Sequence, residues 1–340
     1  MATSVLFIGG TGIISSACVA RAVAGGFAVS VVNRGSTVHR RLPAAVERLT
    51  ADARDVDELA GAVAGRDFDV VADFRGYTVA EVGARLDLFR GRTGQYVFVS
   101  SASAYQTPPS RLPVLESTPL RNPVWRYSQD KIACEDLLVA AYRDEGYPVT
   151  IVRPSHTYDE CSPPLYGGWT QVERMRRGLP VVVHGDGTSL WTLTHTRDFA
   201  PGFVGLLGNP RTHGEAFHIT SDESPTWNQI FETLATAAGA PVPRLVHVAS
   251  ETIALADRDW GDVLLGDMSH SMVFDNTKVK ALVADFAPGT PFHAGAREIV
   301  AWFDADPARR QIDGELDRTI DKLVAVHDPA ATSSDLRDQR

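Results

Sequence analysis

The stretch SVLFIGGTGIIS, from Ser4 to Ser15, decides the fold of this chain. It begins with a strand-like apolar run, passes through Gly9-x-x-Gly12 and continues into residues with helical spacing. Glycines at such a turn let the backbone approach a pyrophosphate, which binds where the free N–H groups of a helix N-terminus favour anions. The stretch therefore predicts a dinucleotide-binding loop, with a tight turn without a ligand as the alternative. Ser15 stands at the third glycine position, where a small residue still permits close packing of helix and strand.

Strand-like and helix-like segments alternate over the first 155 residues. The strand-like runs are continuously apolar, as expected for strands buried on both faces, and helices between them indicate a parallel sheet. The predicted fold is α/β, a Rossmann-type doubly wound parallel sheet with a smaller, mostly helical C-terminal substrate lobe. The predicted strands are SVLFI, AVSVV, DVVADF, QYVFVSS and VTIVRPS, with VERLT as a weaker edge strand, and the predicted helices are Ile13–Ala24, Val56–Ala64, Ala80–Phe89 and Ser128–Arg143.

The composition argues against some classes of partner. Hydrophobic residues make up 44% and charged residues 22% of the 340 residues, as in ordinary globular proteins. The formal net charge of −9 disfavours nucleic-acid binding, although Arg34, His39, Arg40 and Arg41 leave room for a local basic patch. The N-terminus shows no signal peptide and no membrane span, so we expect a cytoplasmic protein. The cysteines lack metal-ligand and disulfide spacing, so we expect no metal.

The end of the second predicted strand bears on which dinucleotide binds. A carboxylate at the position of Asn33 would bind the adenosine ribose and repel a 2′-phosphate, whereas Asn33 removes that repulsion and Arg34 adds a cation. This pair favours NADP(H), while NAD(H) stays possible and a merely solvated Arg34 is the competing interpretation. After the next strand, Asp52 is either an acceptor for the adenine amino group or a simple loop residue.

Tyr127 and Lys131 stand four residues apart in WRYSQDKIACEDLL, so they share one face of a predicted helix. Tyr-x-x-x-Lys alone is a weak pattern that many helices contain by chance. Ser100 and Ser101 end the preceding predicted strand, at the carboxyl edge of the sheet where ligands of such folds bind. The order of glycine loop, strand-end serine and Tyr-x-x-x-Lys helix combines weak patterns into one specific prediction.

This combination resembles the extended short-chain dehydrogenase/reductase family, in its NAD-dependent epimerase/dehydratase branch. The likeness runs from about Ser4 to Asp198 and is carried by GGTGIIS, SSASAY, YSQDK and VRPSHTYD. It implies that Tyr127 is the general acid/base, that Ser101 binds the substrate hydroxyl, and that Lys131 holds the nicotinamide ribose and lowers the Tyr127 pKa. The implied cofactor-binding residues are Gly9, Thr11, Gly12, Ile13, Asn33, Arg34, Asp52, Ala53, Phe74, Lys131, Pro154 and His156.

The rhythm of strands and helices changes after Arg153. YDECSPPLYGGW is a loop by composition, followed by a helix near Gln171–Arg177 and a strand in PVVVHGDG. Short helices dominate after a helix start at Thr226, the last good one near Ala294–Phe303. We expect residues 1–160, with about 195–220, to form the NAD(P)-binding domain, residues 161–194 and 221–328 to form the substrate lobe, and residues 329–340 to be a disordered tail.

Three departures from the family pattern concern the substrate. Trp191 stands where nucleotide-sugar enzymes of the family usually place an arginine that grips the diphosphate, and a second arginine is missing from LLGDMSHSMVFDNTK. His156 occupies a position where the family more often has Asn. Losing two cations, each worth about 1.5–3 kcal/mol, predicts a substrate without a nucleotide, unless Arg174, Arg176 or Arg177 reaches the pocket. The expected substrate-binding residues are Ser103, Tyr105, His156, Trp169, Trp191 and His195, with core packing as the alternative for Trp191 and His195.

The residues after Ser101 bear on the reaction type. Dehydratases of the family carry an Asp-Glu pair there for water loss, whereas this chain has Ala102 and Ser103. The resemblance thus implies an NAD(P)-dependent epimerase or reductase that moves a hydride at a secondary alcohol or ketone of a carbohydrate-like small molecule. The alternative is an RNA-binding or redox-sensing protein on the same scaffold, since parts of the chain resemble an atypical branch that includes chloroplast stem-loop RNA-binding proteins. A homodimer is expected by resemblance alone.

Overall fold

The computed structural model describes residues 2–35 and 39–328, and the predicted disordered tail lies outside them. Its strands are β1 (Ser4–Ile8), β2 (Ala28–Asn33), β3 (Glu47–Thr50), β4 (Val70–Asp73), β5 (Tyr96–Val99), β6 (Val149–Pro154), β7 (His156–Tyr158), β8 (Val181–His184), β9 (Leu193–His195), β10 (Glu215–Ile219) and β11 (Leu245–Val248). A seven-stranded sheet has the order β10-β6-β5-β4-β1-β2-β3, and its strands pair in parallel. The order reverses between β1 and β4, which opens a crevice at their carboxyl ends.

The strands of this sheet form because their apolar runs are buried on both faces. In β1, Val5 and Phe7 pack into one hydrophobic cluster, and Leu6 and Ile8 pack into another. Successive side chains of a strand point to opposite faces, so the two clusters mark the two covered sides of the sheet. The strands predicted from apolar runs, and the strand predicted within RTHGEAFHITSDESPTW, are confirmed, and with them the Rossmann-type doubly wound fold.

The helices packed on the sheet begin and end close to the predicted residues. The first, α1, is Ile13–Ala24 as predicted, and α2 (Val56–Ala62), α3 (Val79–Phe89) and α4 (Arg126–Glu145) differ from the prediction by one or two residues at an end. The others are α5 (Trp169–Arg176), α6 (Thr196–Val204), α7 (Trp227–Ala237), α8 (Ser250–Ala256), α9 (Arg258–Val263) with a π-helical continuation (Leu264–Met268), α10 (Thr277–Leu282), α11 (Phe292–Asp304) and α12 (Gly314–His327).

The helix α12 corrects the expectation that the last good helix lies near Ala294–Phe303. Asp313 caps its N-terminus, where the carboxylate accepts hydrogen bonds from two backbone N–H groups. Leu316, Ile320 and Leu323 are buried on one face of it. The helix is therefore held by a cap and by apolar residues at helical spacing, a pattern that the polar residues between them conceal in the sequence.

The second lobe is built around two short parallel strand pairs, β7 with β9 and β8 with β11. A separate hydrophobic cluster fills it, in which Trp169 stacks on Phe303 with ring centres 4.2 Å apart. Val279, Val283 and Phe286 belong to the predicted lobe segment but pack into a cluster of the central sheet. The division of the chain into domains stays a prediction. These three residues would form a contact between the two predicted domains. None of the described helices combines the length and apolar character needed to cross a membrane.

Asp73 and Arg85 form a buried ion pair beneath the crevice. From α3, Arg85 donates to the Asp73 carboxylate at 2.8 Å and to the carbonyl of Ala53 at 2.6 Å. The Tyr96 hydroxyl donates to Asp73 at 2.6 Å, and the backbone N–H of Arg75 does so at 2.8 Å. Burial alone would raise the pKa of Asp73, but the Arg85 charge and these hydrogen bonds lower it. The pair therefore ties together β4, β5, α3 and the loop after β3.

Arg85→Met should destabilise the fold by about 3–5 kcal/mol, because it leaves the Asp73 carboxylate buried without its cation. The free energy of unfolding, measured by urea titration, gives the loss. Arg21→Met is the matched control, since Arg21 lies on α1 and its exposed partner Asp285 is 3.9 Å away. That change should cost less than about 1 kcal/mol. Equal losses for the two variants would contradict the role given to the buried pair.

Candidate active site

The loop between β1 and α1 turns at its glycines. Gly9 has a φ of 88°, and a Cβ added at Gly10 would lie 2.6 Å from a methyl group of Val31. The Ser15 hydroxyl donates to the carbonyl of Gly9 at 2.6 Å and accepts from the N–H of Gly12 at 2.8 Å. Ser15 therefore bridges the two ends of the glycine loop, which its small size alone does not predict.

This loop lines a cavity of about 450 Å³ at the carboxyl ends of the central strands, called the larger cavity below. The N-terminus of α1 fits a dinucleotide pyrophosphate, because the glycines of the turn let phosphates approach the helix N–H groups and its dipole favours anions. Of the predicted cofactor residues, His156 lines a neighbouring cavity instead. The other eleven line the larger cavity: Gly9, Thr11, Gly12, Ile13, Asn33, Arg34, Asp52, Ala53, Phe74, Lys131 and Pro154.

Three of these residues, Asn33, Arg34 and Asp52, bear on the choice of dinucleotide. The Asn33 side-chain oxygen accepts from the backbone N–H of Gly35 at 3.0 Å, and Arg34 lies 3.9 Å from the Asp52 carboxylate. Arg54 binds Asp52 more closely, at 2.6 Å, and its hydrogen bonds hold the pKa of Asp52 below its usual range. Arg34 is thus a half-exposed cation with a distant carboxylate partner, which leaves it able to bind an anionic group in the cavity.

Arg75 and Tyr77 also line the larger cavity, although no motif in the sequence points to them. The Arg75 guanidinium donates to the Tyr77 hydroxyl at 3.1 Å and lies 5.0 Å from the centre of its ring. Both stand in FRGYT, directly after β4. Their place at the strand end beside β1 could have identified them, since ligands of doubly wound sheets bind at that point.

Lys131 is fixed by backbone carbonyls under the larger cavity. Its ammonium donates to the carbonyl of Gly76 at 2.7 Å and to that of Val99 at 2.8 Å, and it lies 5.8 Å from the centre of the Tyr127 ring. Burial lowers the pKa of Lys131 to about 8, so the side chain is mostly cationic at neutral pH. An ammonium has a third N–H donor, which remains for a ligand in the cavity.

Tyr127 does not acquire a lowered pKa from the protein groups around it. Burial raises the pKa of Tyr127 above its usual value, and Tyr77 adds to the rise. A hydrogen bond with Ser101 lowers it by a smaller amount. Lys131 directs two N–H groups to backbone carbonyls and not to the phenol, and burial sets the direction of the Tyr127 pKa in the protein alone.

Ser101 belongs to a short chain of hydroxyl groups after β5. Its oxygen lies 2.8 Å from the Ser103 hydroxyl, which accepts from the hydroxyl of Ser128 on α4 at 2.7 Å. Ser103 and Ser128 are buried, so these bonds are shielded from solvent. This series of hydrogen-bonded hydroxyl groups holds the Ser101 hydroxyl beside Tyr127.

A second cavity of about 330 Å³, called the smaller cavity below, adjoins the larger one. Ile13, Ser101 and Tyr127 line both cavities, so the Tyr127 side chain stands where they meet. Among the described residues, no lysine or arginine lines the smaller cavity. Its wall combines aromatic, neutral polar and acidic side chains, including Trp125, His156, Trp191, Thr192, Asp267 and Phe274.

His156 and Trp191 form one part of this wall. The Trp191 indole N–H donates to Nδ1 of His156 at 3.0 Å, which leaves the proton of a neutral imidazole on Nε2. Burial lowers the pKa of His156 to about 4, so the ring is neutral at physiological pH. An indole therefore stands where the family pattern expects an arginine, and a neutral imidazole stands where it more often has Asn.

Three of the six predicted substrate-binding residues reach the smaller cavity, namely Ser103, His156 and Trp191. Tyr105 is instead fully buried, with its hydroxyl 3.1 Å from Nδ1 of His218. Trp169 packs in the core of the lobe, and His195 caps α6 by accepting from the N–H of Arg197. Core packing, the alternative interpretation of His195, agrees with its position.

The arginines of α5 are engaged away from the smaller cavity. Arg174 is buried and pairs with Asp317 and Asp321 of α12. Arg176 pairs with Asp304 of α11. Neither residue lines the smaller cavity, so neither supplies the cation that a diphosphate needs there.

Comparisons with known proteins agree with this geometry. The profile of the NAD dependent epimerase/dehydratase family matches residues 5–220, which confirms the resemblance drawn from the motifs. A chloroplast stem-loop binding protein of 41 kDa from Arabidopsis thaliana is 28% identical over 255 residues, 72% of this chain and 65% of that protein. A 2′-dehydrokanamycin reductase from Streptomyces kanamyceticus is 28% identical over 240 residues, 70% of this chain and 67% of that protein. The chain thus spans about two thirds of the length of these relatives.

Solved structures with the same fold align with about nine tenths of this chain. The dTDP-glucose 4,6-dehydratase of Bacillus anthracis, in complex with NAD, has a TM-score of 0.72 at 19% identity, covering 90% of this chain and 98% of that one. The UDP-glucose 4-epimerase of Bifidobacterium longum, in complex with NAD⁺ and UDP, has a TM-score of 0.71 at 20% identity, covering 90% and 99%. At these identities the likeness establishes the fold.

Ser15→Ala should lower the free energy of unfolding by about 1–3 kcal/mol, because it removes two hydrogen bonds worth about 0.5–1.5 kcal/mol each. Ser16→Ala is the matched control, since the neighbouring hydroxyl makes a long bond of 3.3 Å to the carbonyl of Ile13. Its effect should stay within about 0.5 kcal/mol. Urea unfolding compares the two variants, and similar losses would argue against the bridging role of Ser15.

Proposed function

The chain belongs to the NAD-dependent epimerase/dehydratase family, and we propose that it moves a hydride at a secondary alcohol or ketone of a sugar-like small molecule, as a reductase or an epimerase. The observation that carries this proposal is the position of Tyr127, whose side chain lines both cavities. An acid/base at this junction reaches a substrate oxygen in the smaller cavity while a dinucleotide occupies the larger one.

Tyr127, Ser101 and Lys131 have different roles at the substrate oxygen that loses or gains a proton. Tyr127 takes the proton from the substrate hydroxyl during oxidation and returns it during reduction, and Ser101 orients that oxygen. Lys131 would hold a ribose hydroxyl with its third N–H, and its charge favours the phenolate form of Tyr127. A bound nicotinamide accepts or gives the hydride, and its oxidised form adds positive charge that offsets the burial of the phenol.

A substrate without a nucleotide diphosphate fits the smaller cavity best. A diphosphate needs local positive charge to replace its water and counterions. The described lining has no lysine or arginine, and an indole and a neutral imidazole cannot replace one. Trp125 and Trp191 instead offer aromatic faces that suit a sugar ring.

Reduction or epimerisation fits the chain better than dehydration does. Ala102 and Ser103 stand where dehydratases of the family carry their acid–base pair. One relative is named as a reductase, of 2′-dehydrokanamycin, and this supports reduction. Denaturing the purified protein and identifying any released dinucleotide separates the two reactions, because an epimerase must retain the hydride carrier through its cycle.

An RNA-binding role is the second candidate, and the name of the Arabidopsis relative supports it. The formal net charge of −9 opposes it. Within the predicted basic patch, Arg40 is bound to Asp159 at 2.6 Å and 2.9 Å, and Arg34 lies inside the larger cavity. A salt-dependent shift of RNA in a gel, without turnover on a panel of alcohols and ketones, would favour this role over the enzyme.

The cysteines give little support to a redox-sensing role. A reactive sensor needs an accessible thiolate with a low pKa. Cys18 and Cys134 are buried, and burial raises the pKa of both thiols. Burial and neighbouring carboxylates raise the pKa of Cys161 to about 11. The described residues also contain no cluster of His, Cys, Asp or Glu placed to hold a metal.

Tyr127→Phe should reduce turnover at least about 100-fold, because it keeps the ring and removes the proton carrier. Dinucleotide affinity and the free energy of unfolding should stay close to those of the wild type. Tyr142→Phe, at an exposed position on the same helix, is the matched control and should keep full activity. Turnover of Tyr127→Phe within threefold of the wild type, on the same panel of alcohols and ketones, would remove Tyr127 as the acid/base.

Arg34→Ala should weaken NADP⁺ binding by roughly 1.5–3 kcal/mol and leave NAD⁺ binding nearly unchanged, if Arg34 binds the 2′-phosphate. Calorimetric titration with each dinucleotide measures the difference. Arg54→Ala is the control, because Arg54 binds Asp52 but does not line the larger cavity. Equal losses for NADP⁺ and NAD⁺, or no loss for either, would end the case for an NADP preference.

A further inference from the structure

Asp267 lies in the π-helical continuation of α9 and lines the smaller cavity. Single π-helical turns are rare and often occur at functional sites. Side chains fix the backbone on both sides of Asp267. The Asn122 amide donates to the carbonyl of Gly266 at 2.6 Å, and the Trp227 indole N–H donates to the carbonyl of Met268 at 3.1 Å. The backbone that carries Asp267 is therefore held in place before a ligand arrives.

The Asp267 carboxyl has no hydrogen-bonding partner among the described residues. The described wall of the smaller cavity also contains no lysine or arginine that could reach it. Burial raises the pKa of Asp267 to about 8, so the group is mostly protonated at neutral pH. A carboxyl held in this way is costly to ionise unless a ligand brings a positive charge to it.

We propose that Asp267 binds a protonated amino group of the substrate, and that the substrate is therefore an amino sugar or a similar amine-bearing polyol. This inference rests on the proposed function and names the substrate class for the same cavity. An ammonium supplies both the charge and the N–H donors that Asp267 lacks. The faces of Trp125 and Trp191 in the same wall add cation–π attraction.

Neutral hydroxyl groups of a sugar already have partners in this cavity. The Ser101 hydroxyl and the Nε2–H of His156 offer neutral hydrogen-bonding groups. A carboxyl adds discrimination that these groups cannot give, because it distinguishes a cationic amine from a hydroxyl of nearly the same size. Asp267 is therefore the feature of the wall that separates amino sugars from simple sugars.

The charge at Asp267 also acts on Tyr127. Ionised Asp267 raises the pKa of Tyr127, which hinders proton abstraction. An ammonium bound to Asp267 offsets this effect, so an amine-bearing substrate restores the phenol as a base. The two histidines next to Asp267 stay neutral, since burial lowers the pKa values of His156 and His184 to about 4.

The test compares ligands that differ in one group. Methyl glucoside and its 2-, 3-, 4- and 6-amino-deoxy analogues are titrated by calorimetry into the full chain at neutral pH, with and without saturating NAD⁺ or NADP⁺. At least one amino analogue should bind the wild type about tenfold more tightly than methyl glucoside, as expected for a charged hydrogen bond. In Asp267→Asn, which keeps the size of the protonated carboxyl, this preference should fall below about threefold.

Asp262→Asn is the matched control, because Asp262 lies one turn earlier on α9, outside the lining of the cavity. It makes the same Asp-to-Asn substitution outside the cavity and should keep the preference. The inference is overturned if no amino analogue binds the wild type better than methyl glucoside, or if the preference survives in Asp267→Asn. The proposed function fails by a different result, namely full turnover in Tyr127→Phe, so the two failures can be told apart.

Discussion

The buried ion pair between Asp73 and Arg85 is the interaction on which the larger cavity depends. Moving either charge out of water costs several kcal/mol, so the pair is stable only because each charge meets the other and further hydrogen bonds complete the shell. Those bonds reach the strand end at β4, the neighbouring strand β5 and the Ala53 carbonyl. The segment after Asp73 then carries Arg75 and the Gly76 carbonyl that receives Lys131. One pair thus positions loops that are far apart in sequence.

The electrostatics of the site are set by burial more than by pairs of charges. Burial raises the pKa values of Tyr127 and Asp267 and lowers those of Lys131 and His156, each time towards the neutral form. The protein therefore offers a weakly charged site whose ionisation is easily changed by what binds. In our proposal, further charges that assist proton transfer, besides that of Lys131, enter with the ligands, on the nicotinamide and on the amine of the substrate.

The sequence was sufficient for the fold because its information there is local. Continuous apolar runs and the Gly9-x-x-Gly12 turn specify strands and loop without reference to distant residues. The site was harder, because its details depend on contacts between segments far apart in the chain. In LLGDMSHSMVFDNTK the sequence showed only that an expected arginine is missing. No local pattern indicates that the carboxyl of Asp267 faces a cavity. In the same way, the four-residue spacing predicted that Lys131 and Tyr127 share one helix face. The backbone carbonyls that bind the Lys131 ammonium come from other segments of the chain, which the spacing does not show.

The wall shared by the two cavities has a kinetic consequence. Ile13, Ser101 and Tyr127 border both, so whatever fills the larger cavity completes the surface that a molecule in the smaller cavity meets. A substrate that binds before the dinucleotide contacts only the part of this surface that the protein forms, so it makes fewer contacts. The geometry therefore favours binding of the dinucleotide before the substrate, and it makes the affinity for the substrate depend on whether the dinucleotide is bound.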